Sequence, residues 1–240
     1  MFQPDFEILY EEEACLAVNK PAGLLTQAPR GIDSLELRVK TYLMEKEKRN
    51  YLGVPHRLDR PVSGVILFGK HSRATRRLSE QFEKRHINKT YWAVAEGMVK
   101  PRIGTWIDFV RKVPDKPLAE IVAPINPDAR EAILHYTVFN HFELEGKTVT
   151  LLEIKLETGR MHQIRLQCSV HGHPILGDAT YGSSIPFGDY FNEERCREIA
   201  LHARSIMFLD PITRKHVNLT APFPILWNKT LQNISADFSF

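Results

Sequence analysis

The chain has 240 residues, 43% of them hydrophobic and 25% charged, with a formal net charge of +3. That length suits one large domain or two small lobes, and a core of that size needs neither disulfides nor metals. No apolar run approaches the roughly 20 residues of a membrane span. The N-terminal "MFQPDFEILYEEEACLAV" carries acids where a signal peptide carries basic residues, so the cytoplasm is the expected compartment.

In chain order, "FEILYEEEACLAVNKPAGLL" reads as two short strands around an acidic turn, followed by a Lys-Pro-Ala-Gly corner. "DSLELRVKTYLMEKEK" predicts a helix capped by Asp33 or Ser34, with Leu35, Val39, Tyr42 and Leu43 as its apolar stripe. "GVILFGK" suits a buried strand. "SRATRRLSEQFEKR" predicts a helix capped by Ser72, with Ala74, Leu78 and Phe82 facing inward. "KTYWAVAEG" alternates as a strand with one face buried. Residues 98–130 are proline-rich and read as an excursion of hairpins and loops. "AILHYTVFN" and "TVTLLEIKLE" read as strands joined through "HFELEGK". "TGRMHQIRLQCSVHGHP" predicts a helix capped by Thr158 and stopped by Gly172. "GSSIPFGDYFNEERCREIA" reads as a loop, and "RSIMFLD" and "KHVNLT" as the last strands. Many strands, few helices and no regular βαβ alternation predict an α+β fold. Its sheet is mixed and largely antiparallel, with flanking helices.

Within this frame, "PHRLDRPVSG" places one carboxylate, Asp59, between Arg57 and Arg60. Flanking cations favour the ionised form. Such a group serves as nucleophile, base, metal ligand or half of a salt bridge. Its position on a loop before a buried strand favours a site. From Arg57 to Thr90 there are nine Lys and Arg against three acids, a local excess larger than the whole chain's net charge. A concentrated basic face attracts polyanions. A second basic cluster, "TGRMHQIR", holds Arg160 and Arg165. His162 and Arg165 are three apart and share a helix face.

Other chemistries lack their residues. The three cysteines, Cys15, Cys168 and Cys196, form no Cys-x-x-Cys, and "HGH" at 171–173 has no acidic or sulfur ligand at useful sequence spacing, so no metal is expected. No Gly-x-x-x-x-Gly-Lys or Gly-x-Gly-x-x-Gly occurs, so no nucleotide cofactor is expected. "RPVSG" is not a nucleophile elbow. What is left is chemistry on a nucleic-acid unit, or plain nucleic-acid binding.

The ordered set of motifs resembles the RluA-type family of RNA pseudouridine synthases. The resembling motifs are "ILYEEEACLAVNKPAGLL", "HRLDRPVSG", "NKTYWAVAEG", "TGRMHQIRLQCSVHGHPILGDATYG", "LHARSIMFLDPIT" and "LTAPFP". The resemblance runs nearly end to end. It implies a single catalytic domain over 1–240, two lobes around a central cleft, with no N-terminal S4 domain. It implies isomerisation of a uridine within RNA, ribosomal or transfer, without cofactor or metal. It makes Asp59 the catalytic carboxylate, as nucleophile at the sugar or as base for a 2′ proton. Tyr91 becomes the residue beneath the target base, although its unperturbed pKa near 10 makes it a poor base. Arg165 becomes the partner of Asp59. Base flipping is implied, with Arg57 filling the vacated space. Lys89, Arg160 and the basic face of 70–85 become candidates for phosphate contact. RNA is the expected partner, with no membrane and no obligate protein partner, and a monomer is expected. Two positions depart from the family pattern: Val62 stands where threonine is usual, and Gln167 where histidine is frequent. RNA choice falls to 98–130 and 182–200. A binding protein without turnover is the rival reading. A glycosidase is a weaker one, since it needs a second placed carboxylate.

Overall fold

The computed structural model describes residues 4–188 and 197–231. They fall into two compact units. The first takes the described residues up to Lys89 together with Arg197 and His202–Pro224, and the second takes the described residues of Thr90–Tyr190, Glu198–Leu201 and the segment from Ile225.

In the first unit, β1 (Glu7–Glu11) and β2 (Cys15–Lys20) pair antiparallel around the acidic turn. β2 pairs antiparallel with β3 (Ser63–Gly69), every residue of which is buried. β3 runs parallel to β9 (Leu201–Leu209), which pairs antiparallel with β10 (His216–Thr220). The parallel contact requires Gly64: its φ is +115°, and a Cβ there would lie 2.3 Å from the Ala203 carbonyl oxygen. Helix α1 (Leu35–Glu47) is capped by Ser34, whose side chain accepts from the Leu37 N–H, and it buries Leu35, Val39, Tyr42 and Leu43 as its periodicity requires. Lys70, buried, bridges Glu11 of β1 and Glu47 at the end of α1. Helix α2 (Ser72–Glu83) starts one residue earlier than its serine suggests. His71 is the N-cap, its ring accepting from the Ala74 N–H. α2 buries Ala74, Leu78 and Gln81, while Phe82 is half-buried against the His56 ring at 4.4 Å.

In the second unit, the strand order is β4–β8–β7–β5–β6, antiparallel throughout. The strands are β4 (Asn88–Glu96), β5 (Ile103–Lys112), β6 (Ala119–Ile121), β7 (Arg130–Leu144) and β8 (Lys147–Leu156). The excursion at 98–130 therefore lengthens the sheet. Most of "HFELEGK" is also strand. β7 and β8 meet at a two-residue turn, Glu145-Gly146, with φ of 51° and 75°, and positive φ at both positions suits a hairpin whose twist matches its strands. Helix α3 (Gln163–Val170) begins later than the pattern predicts. Thr158 does not cap it. Its hydroxyl instead meets the Ile133 N–H and donates to Gln163 Oε1, while His162, at φ 51°, is the N-cap. Arg160 thus lies outside the helix. A short helix, α4 (Ile225–Leu231), was not expected, and it buries Trp227. Cys15 and Cys168 are buried free thiols, and Cys196 lies outside the described residues.

Candidate active site

Asp59 is half-buried on the loop between α1 and β3. The loop is bolted on both sides of it. On one side, the Thr26 hydroxyl donates to the Leu58 carbonyl at 2.8 Å and accepts from the Leu58 N–H at 3.2 Å. On the other, Arg60 Nε donates to the Gly23 carbonyl at 2.7 Å and the Gly23 N–H returns to the Arg60 carbonyl at 2.8 Å. Beneath this sits Lys20, fully buried, whose ammonium donates to the carbonyls of Pro21, Leu24 and Arg60 at 2.9, 2.7 and 3.2 Å. A buried ammonium is tolerated only when its donors are engaged. Here they tie the Lys-Pro-Ala-Gly corner to the Asp59 loop, so two stretches 40 residues apart form one rigid piece. The Val62 N–H to Asp59 carbonyl bond, 3.1 Å, closes the turn, and Val62 packs inside it.

Just beyond the loop, the Ser63 side chain meets His202 Nδ1 at 2.8 Å, and His202 Nε2 lies 3.3 Å from the Ala221 carbonyl. A carbonyl only accepts, so Nε2 carries the proton and Ser63 donates to Nδ1. Burial, with Arg204 nearby, pushes the His202 pKa down to about 4. His56 at the loop's start accepts from the Leu67 N–H at 2.9 Å, and burial with Lys89 nearby lowers its pKa to about 3. Arg57 is exposed. Lys89 places its ammonium 5.5 Å from the Phe82 ring centre, and desolvation lowers its pKa.

The second unit carries the other residues. Tyr91, in register with Ile154, is buried on the face of β4 that also holds Ala93 and Ala95. Arg165 is buried on α3 and grips Asp178 with two parallel bonds, Nε to Oδ2 at 2.7 Å and Nη2 to Oδ1 at 2.8 Å. The Tyr181 ring lies 5.0 Å from the same guanidinium, and the Tyr181 hydroxyl meets His162 Nδ1 at 2.8 Å. Arg160 donates from Nε to the Glu131 carbonyl, while its N–H is taken by Gln163 Oε1. Gln167, fully buried, donates to Asp108 Oδ2 at 2.8 Å and accepts from Gln163. His171 also meets Asp108, at 3.0 Å, across 63 residues that sequence spacing could not bridge. Glu96, at the end of β4, receives the Ser183 hydroxyl and the Ser184 and Ile185 N–H groups, and these bonds outweigh its burial and lower its pKa. Among the described residues no cluster of three or more His, Cys, Asp or Glu could hold a metal, and no helix is long and apolar enough to cross a membrane.

The structure thus seats Asp59 and Arg57 in the first unit, and Tyr91, Arg160 and Arg165 in the second. It also brings forward Lys20, Thr26, Asp178 and Tyr181, which the reading of single motifs passed over. The family model for RNA pseudouridylate synthases matches residues 14–170, from the start of β2 to the end of α3. The chain belongs to that family. It is an RNA pseudouridine synthase of the RluA type, an isomerase. The tRNA pseudouridine synthase C of Yersinia pestis is 32% identical over 98% of this chain and 91% of its own length. The ribosomal large subunit pseudouridine synthase C of Buchnera aphidicola is 32% identical over 95% of this chain and 70% of its own length. The solved structure of human RNA pseudouridylate synthase domain containing 4 shares the synthase's fold, with a TM-score of 0.76 at 22% identity over 95% of this chain and 92% of that one.

Proposed function

We propose that this synthase isomerises specific uridines in structured RNA, ribosomal or transfer, with Asp59 as the catalytic carboxylate. The C1′–N1 bond breaks, the uracil turns, C1′ joins C5, and the C5 proton leaves as N1 gains one. Atoms balance without cofactor or water. Asp59 acts at the sugar, as nucleophile on C1′ or as base toward the 2′ proton. Tyr91 is the residue beneath the base, and Arg165 is the arginine that serves Asp59 as its partner. Arg57 enters the space left by the flipped base. Lys89 and Arg160, with the basic face of α2, contact phosphate. The enzyme acts as a monomer in the cytoplasm.

The observation that carries this reading is the double anchoring of the Asp59 loop. The pairs Leu58–Thr26 and Arg60–Gly23 brace the residues on either side of the carboxylate, with buried Lys20 beneath. A structural salt bridge needs no such bracing, whereas a reacting group must hold its angle to within a fraction of an ångström. The test is tritium release from RNA labelled at uridine C5, with ribosomal and transfer RNA pools run separately. Wild type releases tritium from one pool, and Asp59→Asn, folded by circular dichroism, releases none. Equal release from both proteins would remove Asp59 from the chemistry. Binding without release from either pool would favour the non-catalytic binder.

A further inference from the structure

We propose that Asp178 and Tyr181 are positioning residues that together set the angle of the Arg165 guanidinium, one gripping its edge and the other covering its face. This rests on the reading that Arg165 acts on the catalytic carboxylate. The two residues belong to "GDATYG", a stretch that the role of Asp59 leaves without a task.

The cradle is built rather than incidental. Asp178 opens, and Tyr181 is the last residue of, one 3-10 turn (Ala179–Tyr181), closed by the Tyr181 N–H donating to the Asp178 carbonyl at 3.0 Å. Gly177, at φ +81°, opens the turn where a Cβ would lie 2.6 Å from the Glu198 carbonyl oxygen. Gly182, at φ +89°, ends it. The turn therefore has one shape, and it presents a carboxylate and a ring three residues apart to the same guanidinium.

The side chains of Arg165 and Asp178 are only 6% and 1% exposed. A buried ion pair is weak as a source of stability, since apolar residues of the same volume often do as well. Two parallel bonds from a planar fork do something apolar packing cannot: they fix the plane and rotation of the guanidinium. Tyr181 adds the constraint normal to that plane. Its hydroxyl in turn receives the Ala119 N–H at 3.0 Å and meets His162. The setting of Arg165 is therefore coupled to β6 and to the N-cap of α3. The proline-rich 98–130 segment, to which RNA choice was assigned, reaches the active-site arginine through one ring.

The test combines single-turnover tritium release at saturating RNA with RNA affinity by filter retention, in a double-mutant design. Asp178→Asn is expected to lower the rate by about 10²-fold, as a misplaced catalytic group does. Tyr181→Leu should lower it roughly tenfold, and Tyr181→Phe, which keeps the ring but loses the hydroxyl that anchors it to Ala119 and His162, should lower it less than Tyr181→Leu does. RNA affinity should not change. In an Arg165→Lys background, Asp178→Asn and Tyr181→Leu should add no further loss, because there is no fork left to orient. A merely structural role would give additive losses in both backgrounds, and that result overturns the proposal, as does an unchanged rate in the single variants. If Asp178→Asn fails to fold by circular dichroism, the Tyr181 pair decides alone. Wild-type rate in Arg165→Ala would instead remove Arg165 from the chemistry, a different failure from that of the cradle.

Discussion

The side-chain ammonium of Lys20 lies 3.2 Å from the backbone carbonyl of Arg60, in a site from which solvent is excluded. One buried cation thus joins the corner after β2 to the residue next to Asp59. Lys20→Met keeps the volume but leaves the Pro21 and Leu24 carbonyls without their donor, while the Arg60 carbonyl keeps the Gly23 N–H. At about 1 kcal/mol for each orphaned acceptor, the loss of stability is roughly 2 kcal/mol, read by urea unfolding. The rate of tritium release should fall further than stability explains, because the Asp59 loop loses its floor. RNA affinity should hold, because the substitution changes no exposed cation.

Gly64 is replaceable only at the expense of the β3–β9 contact. A methyl group there meets the Ala203 carbonyl oxygen at 2.3 Å, and φ of +115° strains any L-residue. Gly64→Ala is expected to cost about 3 kcal/mol or more. A thermal melt would show a clear drop in Tm. An unchanged Tm would mean that β3 and β9 separate without penalty.

His202 makes the fold sensitive to acid. Its folded pKa, about 4, lies below the ordinary value of 6.5. The unfolded chain therefore binds the proton more readily, and stability rises with pH between those values. The contribution is complete above about pH 6.5 and is lost as pH falls toward 4, with a slope of up to about 1.4 kcal/mol per pH unit. His56, lowered to about 3 by burial, acts in the same direction. Urea midpoints measured from pH 7.5 to 4.5 should decline, and His202→Gln should flatten part of that decline.

Arg73 and Arg76 are exposed on α2. If each contacts a phosphate, replacing both with glutamine should weaken RNA binding and reduce the slope of log affinity against log salt by about 1.5. The single-turnover rate at saturating RNA should remain that of wild type. A slope unchanged by the double substitution would make these arginines a solvated face.

The secondary structure was largely legible because periodicity is local. Leu35, Val39, Tyr42 and Leu43 announce α1, and the unbroken apolar run announces β3. Starts and stops were less legible. His71 displaced Ser72 as the cap of α2, and Thr158 spent its hydroxyl on Ile133 and Gln163 instead of capping α3. In both cases a polar side chain chose between near-equivalent backbone partners, and the packing around it made the choice. The β7–β8 turn shrank to two residues because Glu145 and Gly146 both adopt positive φ, which freed the flanking residues to pair.

By itself the sequence determined the α+β class, most of the strands and helices along the chain and the loop that carries Asp59, through spacing that any extended or helical segment must obey. It also carried the motifs by which the family is known. Only the tertiary structure decided which residues hold the candidate site residues in place. Lys20 reaches Arg60 across 40 positions, Gln167 reaches Asp108 across 59, and Arg165 grips Asp178 through a turn fixed by Gly177. Those contacts depend on exclusion of water and on the approach of segments distant in the chain. A buried polar group takes whatever partner folding brings within about 3 Å, and no local pattern encodes which partner that is.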